Sequence, residues 1–235
     1  MGVPMSSARL ALETVDGRVF RRIEPAPRTP LTAIEWCDAV SAAFCAHRSA
    51  APTERTLSIL WAQYALETAR GERCYGFNLG NVMRFPGQPF DWCDLRTFEF
   101  VDGKRVDTVG SFRVYGSRFA GAHEYIWTLA RLFPEGLHAA ELGDARGFVE
   151  QLKRRHYMTA PVDQYLPAIE SLAREAHPRS GYVCIAPPSA EELGLKSWEP
   201  VVSSFSSAAT TLRAPEAEHT VRLEEPSFDP ERTVS

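Results

Sequence analysis

Two glutamates stand where carboxylates can do acid–base work. Glu67 lies near the end of an apolar helical pattern, Trp61-Ala62-Gln63-Tyr64-Ala65-Leu66-Glu67-Thr68-Ala69-Arg70-Gly71, just before a glycine break. Desolvation by Trp61, Tyr64 and the nearby Tyr75 and Phe77 would favour the protonated carboxyl, which suits a general acid. The plain alternative is a solvated helix glutamate, the commoner fate of that residue type. Glu99 lies on a strand-like segment, Thr97-Phe98-Glu99-Phe100-Val101, on the face opposite Phe98 and Phe100. If those phenylalanines pack inward, Glu99 faces solvent or a cleft. Two carboxylates on separate elements facing one another are the device of glycoside hydrolysis. The alternative for Glu99 is a cross-strand charge pair with Lys104 or Arg105.

Between them runs Cys74-Tyr75-Gly76-Phe77-Asn78-Leu79-Gly80-Asn81-Val82. Asn78 and Asn81 can hydrogen-bond sugar hydroxyls or an acetamido group, and Tyr75 and Phe77 can stack on a sugar face. Taken alone, a turn using Asn and Gly for backbone reasons accounts for the same residues. The six histidines show no HxxxH or HxH spacing and the five cysteines no CxxC pair, so no metal site is expected. No glycine-rich phosphate loop is present, and no cofactor is expected.

These groups need elements to hold them. Thr32 with Glu35 forms a capping box, followed by Ile34, Cys37, Val40, Phe44 and Cys45 at helical spacing up to Ser49. A second helix is expected from Thr53 to about Arg70, with Leu57, Leu60, Trp61, Tyr64 and Ala65 on its apolar face. Residues 72–94 read as a structured loop. A hairpin is expected over 95–114, turning at Asp102-Gly103. Helical patterning returns at 118–132, 139–155 and 163–176. Many helices and one small hairpin predict a mainly α, α+β domain.

That domain is expected over 32–177. Residues 1–31 read as an N-terminal arm, with a short hairpin around Asp16-Gly17 and breaks at Pro25, Pro27 and Pro30. From 178 onward the chain turns rich in Pro and Ser, and 178–235 reads as a tail that Tyr182, Trp198 and Phe205 could dock. In a chain of 235 residues with a formal net charge of −4, a general basic field for nucleic acid is excluded, though a local patch is not. No apolar run reaches the length of about 18 residues that a membrane span needs. The first residues lack a basic segment leading into an apolar one, so no standard secretory signal is expected. The odd, unpatterned cysteines fit synthesis in a reducing compartment.

The ordered set of segments resembles glycoside hydrolase family 73, the lysozyme-like glucosaminidases. That family's acid motif is similar to Ala65-Leu66-Glu67-Thr68-Ala69-Arg70-Gly71 followed by Asn78-Leu79-Gly80-Asn81. Its hairpin is similar to Thr97-Phe98-Glu99-Phe100-Val101-Asp102-Gly103, returning through Phe112-Arg113-Val114-Tyr115-Gly116-Ser117. A later family element, Gly-Tyr-Ala-Thr-Asp-Pro and then Tyr, looks like His156-Tyr157-Met158-Thr159-Ala160-Pro161 and Tyr165, with His156, Met158 and Ala160 as departures.

The resemblance implies a lysozyme-like helical domain with a small hairpin lobe beside a cleft, cutting peptidoglycan glycan strands at N-acetylglucosamine. It makes Glu67 the general acid and Glu99 the base or charge stabiliser. Tyr157 would hold the acetamido group or the water, and Tyr75, Phe77, Asn78, Asn81, Tyr115 and Tyr165 would contact substrate. A lytic transglycosylase or muramidase, and a non-catalytic wall-binding module, are the alternatives on the same fold. Such a substrate lies outside the cytoplasmic membrane. Delivery by a phage particle or secretion machine is therefore expected, with the arm or tail docking the carrier.

Overall fold

The computed structural model describes residues 11–101, 104–158 and 160–175, with backbone alone for 98–101 and 104–105. The expected 178–235 tail, with Tyr182, Trp198 and Phe205, and the expected turn at Asp102-Gly103 lie outside the described residues.

The order is β1 (Leu12–Val15), β2 (Arg18–Arg21), α1 (Ala33–Arg48), α2 (Glu54–Thr68), β3 (Asp91–Val101), β4 (Lys104–Val114), α3 (Arg118–Leu132), α4 (Pro134–Leu142), α5 (Ala145–Arg154) and α6 (Val162–Glu175). The strands form two antiparallel hairpins, β1–β2 and β3–β4. The mainly helical α+β class is therefore the observed one.

Helix α1 begins where its capping box predicts. The Thr32 side chain accepts from the Glu35 amide at 3.3 Å, and the Glu35 carboxylate accepts from the Thr32 amide at 3.0 Å. Its buried stripe runs through Trp36, Cys37, Val40 and Phe44, whereas Ile34, expected on that stripe, is exposed. Helix α2 is capped by Thr53 and ends at Thr68, with Ala69 in the left-handed region. Trp36 anchors the core, edge-on to Trp61 at 5.3 Å and stacked on Tyr64 at 5.7 Å, so α1 and α2 share an aromatic cluster. Burial pushes the Cys37, Cys74 and Cys93 thiols up to about 11, which leaves them as unreactive core residues.

Two expected elements differ. The single helix expected over 139–155 is two helices. Gly143 takes φ 77° after α4, and the Asp144 carboxylate accepts from the Gly147 amide at 2.9 Å to start α5. The second hairpin is longer than expected: its ladder starts at Asp91↔Val114 and reaches Val101↔Lys104. Buried Trp92, Cys93 and Phe112 hold its base to the domain, although polar Asp91, Asp94 and Arg96 interrupt the apolar alternation.

The N-terminal hairpin around Asp16-Gly17 is present as β1–β2. The described part of the segment expected as an arm is bonded along its length to the domain. The Ile23 amide donates to the Trp92 carbonyl at 2.7 Å, the Thr29 amide to Cys74 at 2.9 Å, and the Gly76 amide to Pro27 at 2.8 Å. Glu13 reaches the buried Arg84 and the Gly87 amide, and the Arg84 guanidinium lies 4.1 Å from the centre of the Trp92 ring.

Between α1 and α3, the His47 and His123 rings lie 4.8 Å apart. Burial first, then the neighbouring His47, pushes His123 down to about 4; burial lowers His47 too, with Arg48 adding to it. Both rings therefore fold neutral, and protons bind the unfolded chain in preference. Stability is full above the unfolded histidine value of about 6.5 and falls as pH drops from there. The fall continues to the folded value of about 4. Urea midpoints should decline over that window, and His123→Phe should flatten the decline. A slope unchanged by the substitution would contradict this account.

Candidate active site

Glu67 is the penultimate residue of α2 and half-buried. Its Oε1 accepts from the Tyr165 hydroxyl of α6 at 2.9 Å. Its backbone carbonyl accepts from Asn81 Nδ2 at 2.9 Å, so the loop after the helix grips the glutamate's own peptide. Thr68 adds a second clamp. Its hydroxyl donates to the Tyr64 carbonyl at 2.6 Å and accepts from the Gly71 amide at 2.9 Å. The helix therefore ends abruptly, with the carboxylate on a fixed turn.

Three phenols lie within the field of that carboxylate, and Tyr165 bonds it directly. Burial first, and then the charge of Glu67, raises Tyr125, Tyr157 and Tyr165 well above the ordinary tyrosine range. Each hydroxyl also has its own acceptor. Tyr157 donates to the Gly80 carbonyl at 2.9 Å, and Tyr125 donates to Gln63 Oε1 at 2.6 Å. These phenols stay protonated and serve as donors, Tyr165 to Glu67, Tyr157 to the loop and Tyr125 to helix α2. Trp61 and Tyr64, expected to wall the carboxyl, have their rings on Trp36, and Tyr165 meets the carboxylate through its hydroxyl.

Tyr165→Phe removes this hydrogen bond with little change of shape. It should lower turnover about tenfold, the scale of one hydrogen bond to a charged group. Melting should shift by only a few degrees. Unchanged turnover would contradict a positioning role.

The loop residues divide by what holds them. Tyr75 is half-buried and lines a cleft of about 630 Å³, with Arg73 beside it and Leu95, Arg96 and Thr97 of β3 and Asp107 of β4 opposite. Asn81 is tied to Glu67 as described. Phe77 takes φ 51°, is half-buried against the core, and donates its amide to Thr29 Oγ1 at 2.7 Å.

Asn78 and Tyr115, expected to contact substrate, are used inside the protein. Asn78 is 2% exposed. Its amide donates to the Val82 and Arg113 carbonyls at 2.9 and 3.1 Å, and its Oδ1 accepts from the Val82 amide at 2.8 Å. That geometry closes the turn and joins it to β4, the backbone use that the Asn-Gly pattern also allowed. Tyr115 is 8% exposed and edge-on to Phe90 at 6.1 Å, with burial holding its phenol protonated. Its neighbour Arg113 lies over Phe90 at 4.1 Å and meets the buried Glu124 of α3 at 3.5 Å. The Phe112-Arg113-Val114-Tyr115 segment thus fastens β4 to the helices.

The backbone of Glu99 pairs with Val106, two residues along β3 from Thr97, which lines the cleft. Lys104 and Arg105 pair with Val101 and Phe100, so neither is the direct cross-strand partner of Glu99. The Glu99 side chain lies outside the described residues.

Gln63 and Tyr125 were not legible as site residues. Tyr125 sits in an apolar helical pattern, and its polar use depends on Gln63 one helical turn before Glu67. Spacing four residues apart on one helix face was the available signal.

The fold and site together define a class: a mainly helical domain with a phenol-bound carboxylate at a helix end, and a long hairpin that lines a cleft together with the loop after that helix. The sequence matches no known family profile and no curated protein. Solved structures are similar to it. One is a peptidoglycan hydrolase mutant from Sphingomonas sp. A1, at 24% identity and a TM-score of 0.47, covering 60% of this chain and 93% of that one. Another is a truncated glycoside hydrolase domain of FlgJ from Salmonella typhimurium, at 20% and 0.43, covering 61% and 96%. A third is the catalytic domain of the autolysin Auto from Listeria monocytogenes, at 18% and 0.43, covering 63% and 85%.

Proposed function

We propose that this chain is a peptidoglycan hydrolase that cleaves the glycan strand at N-acetylglucosamine, as an endo-β-N-acetylglucosaminidase. The observation that carries the reading is the half-buried Glu67 carboxylate at the end of α2, bonded to the Tyr165 hydroxyl, with the loop that follows it lining a cleft through Arg73 and Tyr75. In the protonated form Glu67 gives its proton to the glycosidic oxygen as that bond breaks. Water adds to the anomeric carbon, and its proton passes to the Glu99 carboxylate. The backbone place of Glu99 supports that role, two residues along β3 from cleft-lining Thr97. Tyr157 donates to Gly80, yet its oxygen keeps accepting capacity for an acetamido N–H or the water.

The test is release of reducing ends from purified wall by wild type and by Glu67→Gln. The reading requires activity in the first and its loss in the second. A wild type inert on several wall types would refute it, and saturable wall binding unchanged in Glu67→Gln would then identify a binding module.

A further inference from the structure

The turn that grips Glu67 is itself gripped by a residue outside the helical domain expected over 32–177. Residues 21–31 lie as a strap between two parts of the molecule. One end is fastened to the base of β3. The Arg21 amide donates to Asp91 Oδ1 at 2.8 Å, the Ile23 amide to the Trp92 carbonyl at 2.7 Å, and Arg22 to Asp94 Oδ2 at 3.2 Å. The other end meets the loop after α2. Arg28 Nε donates to the Glu72 carbonyl at 2.8 Å, and the Thr29 amide to the Cys74 carbonyl at 2.9 Å. Thr29 then reaches further along that loop: its hydroxyl accepts from the Phe77 amide at 2.7 Å. Phe77 takes φ 51°, a left-handed conformation that a bulky residue keeps only where its surroundings impose it. They do so from both sides. The amide is on Thr29, and the carbonyl is pressed on α3 so closely that a Cβ on Gly121 would lie 1.9 Å from its oxygen. Four residues on, Asn81 Nδ2 donates to the Glu67 carbonyl at 2.9 Å.

We infer that Thr29 is a positioning residue for Glu67: its hydroxyl holds the Phe77 conformation from which the turn carries Asn81 onto the Glu67 peptide. The inference rests on the reading of Glu67 as the general acid and adds to it a residue from the N-terminal segment. A hydroxyl positions another group only when it is held itself. The Thr29 amide bond to Cys74 and the Gly76 amide bond to the Pro27 carbonyl, at 2.8 Å, hold it on both sides. Without the hydroxyl the Phe77 amide lacks its acceptor, and the left-handed residue has less to keep it there. The turn relaxes, Asn81 moves off the Glu67 carbonyl, and the carboxyl loses its aim at the glycosidic oxygen. Rate depends steeply on such aim, because a reacting group displaced by a fraction of an ångström leaves the near-attack geometry.

The experiment uses the full chain with Thr29→Val, which keeps the branched shape and the amide bond to Cys74 and removes only the hydroxyl. Thr29→Ala is a second variant without the hydroxyl, and Thr29→Ser restores it. Asp144→Ala is the control for stability, because it removes a bond of the same kind, from the Gly147 amide at the start of α5. Three quantities are measured: kcat and KM on soluble glycan strands prepared from wall, the melting temperature, and the magnetic-resonance signal of the Asn81 side-chain amide. Thr29→Val should lower kcat about fivefold, the scale of one hydrogen bond, with KM within about twofold of wild type. The Asn81 signal should shift in Thr29→Val and Thr29→Ala and return in Thr29→Ser, together with most of kcat. Asp144→Ala should melt a few degrees lower, with kcat and the Asn81 signal unchanged. Wild-type kcat in both variants without the hydroxyl, an unmoved Asn81 signal, failure of serine to restore either, or an equal loss of kcat in Asp144→Ala would each overturn the positioning role. An inert wild type sinks the catalytic reading alone. The Asn81 signal then still decides whether Thr29 holds the turn on Glu67.

Discussion

Glu67→Gln should reduce wall hydrolysis about a thousandfold, within the usual range for removing a general acid or base. The fold should survive. Glutamine has nearly the shape of glutamate, and its amide oxygen can still accept from the Tyr165 hydroxyl that now sits 2.9 Å from Oε1. The Asn81 bond goes to the backbone carbonyl and does not depend on the side chain. The variant loses the transferable proton and little else. Turnover and thermal melting should be measured together. Loss of activity with melting within a few degrees of wild type supports proton transfer by Glu67. Equal loss of both would point to a structural role, and retained activity would remove Glu67 from the chemistry.

Gly121→Ala should be the most damaging single methyl in the domain. A Cβ on this α3 residue would lie 1.9 Å from the Phe77 carbonyl oxygen and 3.0 Å from its carbon. Those are backbone atoms, so no side chain can swing aside. Either α3 retreats or the loop holding Phe77, Asn78 and Asn81 moves. The loop is fixed by the Asn78 bonds and by Asn81 on the Glu67 carbonyl, so moving it disturbs the catalytic turn. Overpacking of this kind costs about 1–3 kcal/mol. In a domain of this size that lowers the melting temperature by roughly 5–10 °C. Turnover well below the melting transition should fall as well, because the displaced loop carries Asn81. Gly116→Ala is the control, since a Cβ there meets nothing within 4 Å. Two variants melting alike would contradict the close packing of α3 on the loop.

What the sequence reveals about this molecule follows the range of the interactions involved. The start of α1 is legible because Thr32 and Glu35 satisfy each other within one turn. Helix α3 occupies the expected 118–132, with Ser117 as its cap. The centre of the long hairpin is legible from its alternation, but its base depends on what Trp92 and Phe112 meet across the domain. The α4–α5 break was carried by Gly143-Asp144, a stop and a start side by side that a long helical window averages away.

The site divides in the same way. Glu67 at a helix end is a local pattern. Its contact with Tyr165 spans 98 positions and is implied only by motif order. Asn78 shows the opposite limit: its type suits both a sugar and a turn, and only burial distinguishes them. His156 stands where the resembled family has glycine, and it takes φ 58°, so the backbone keeps the glycine-like conformation without the glycine.

The most direct test of the central claim is mass spectrometry of wall digests made in heavy-oxygen water. Hydrolysis driven by Glu67 predicts soluble fragments with reducing N-acetylglucosamine ends, each carrying one heavy oxygen at the anomeric carbon, and none from Glu67→Gln. Anhydro-muramyl ends without label would contradict hydrolysis, and labelled muramic acid ends would contradict the proposed linkage.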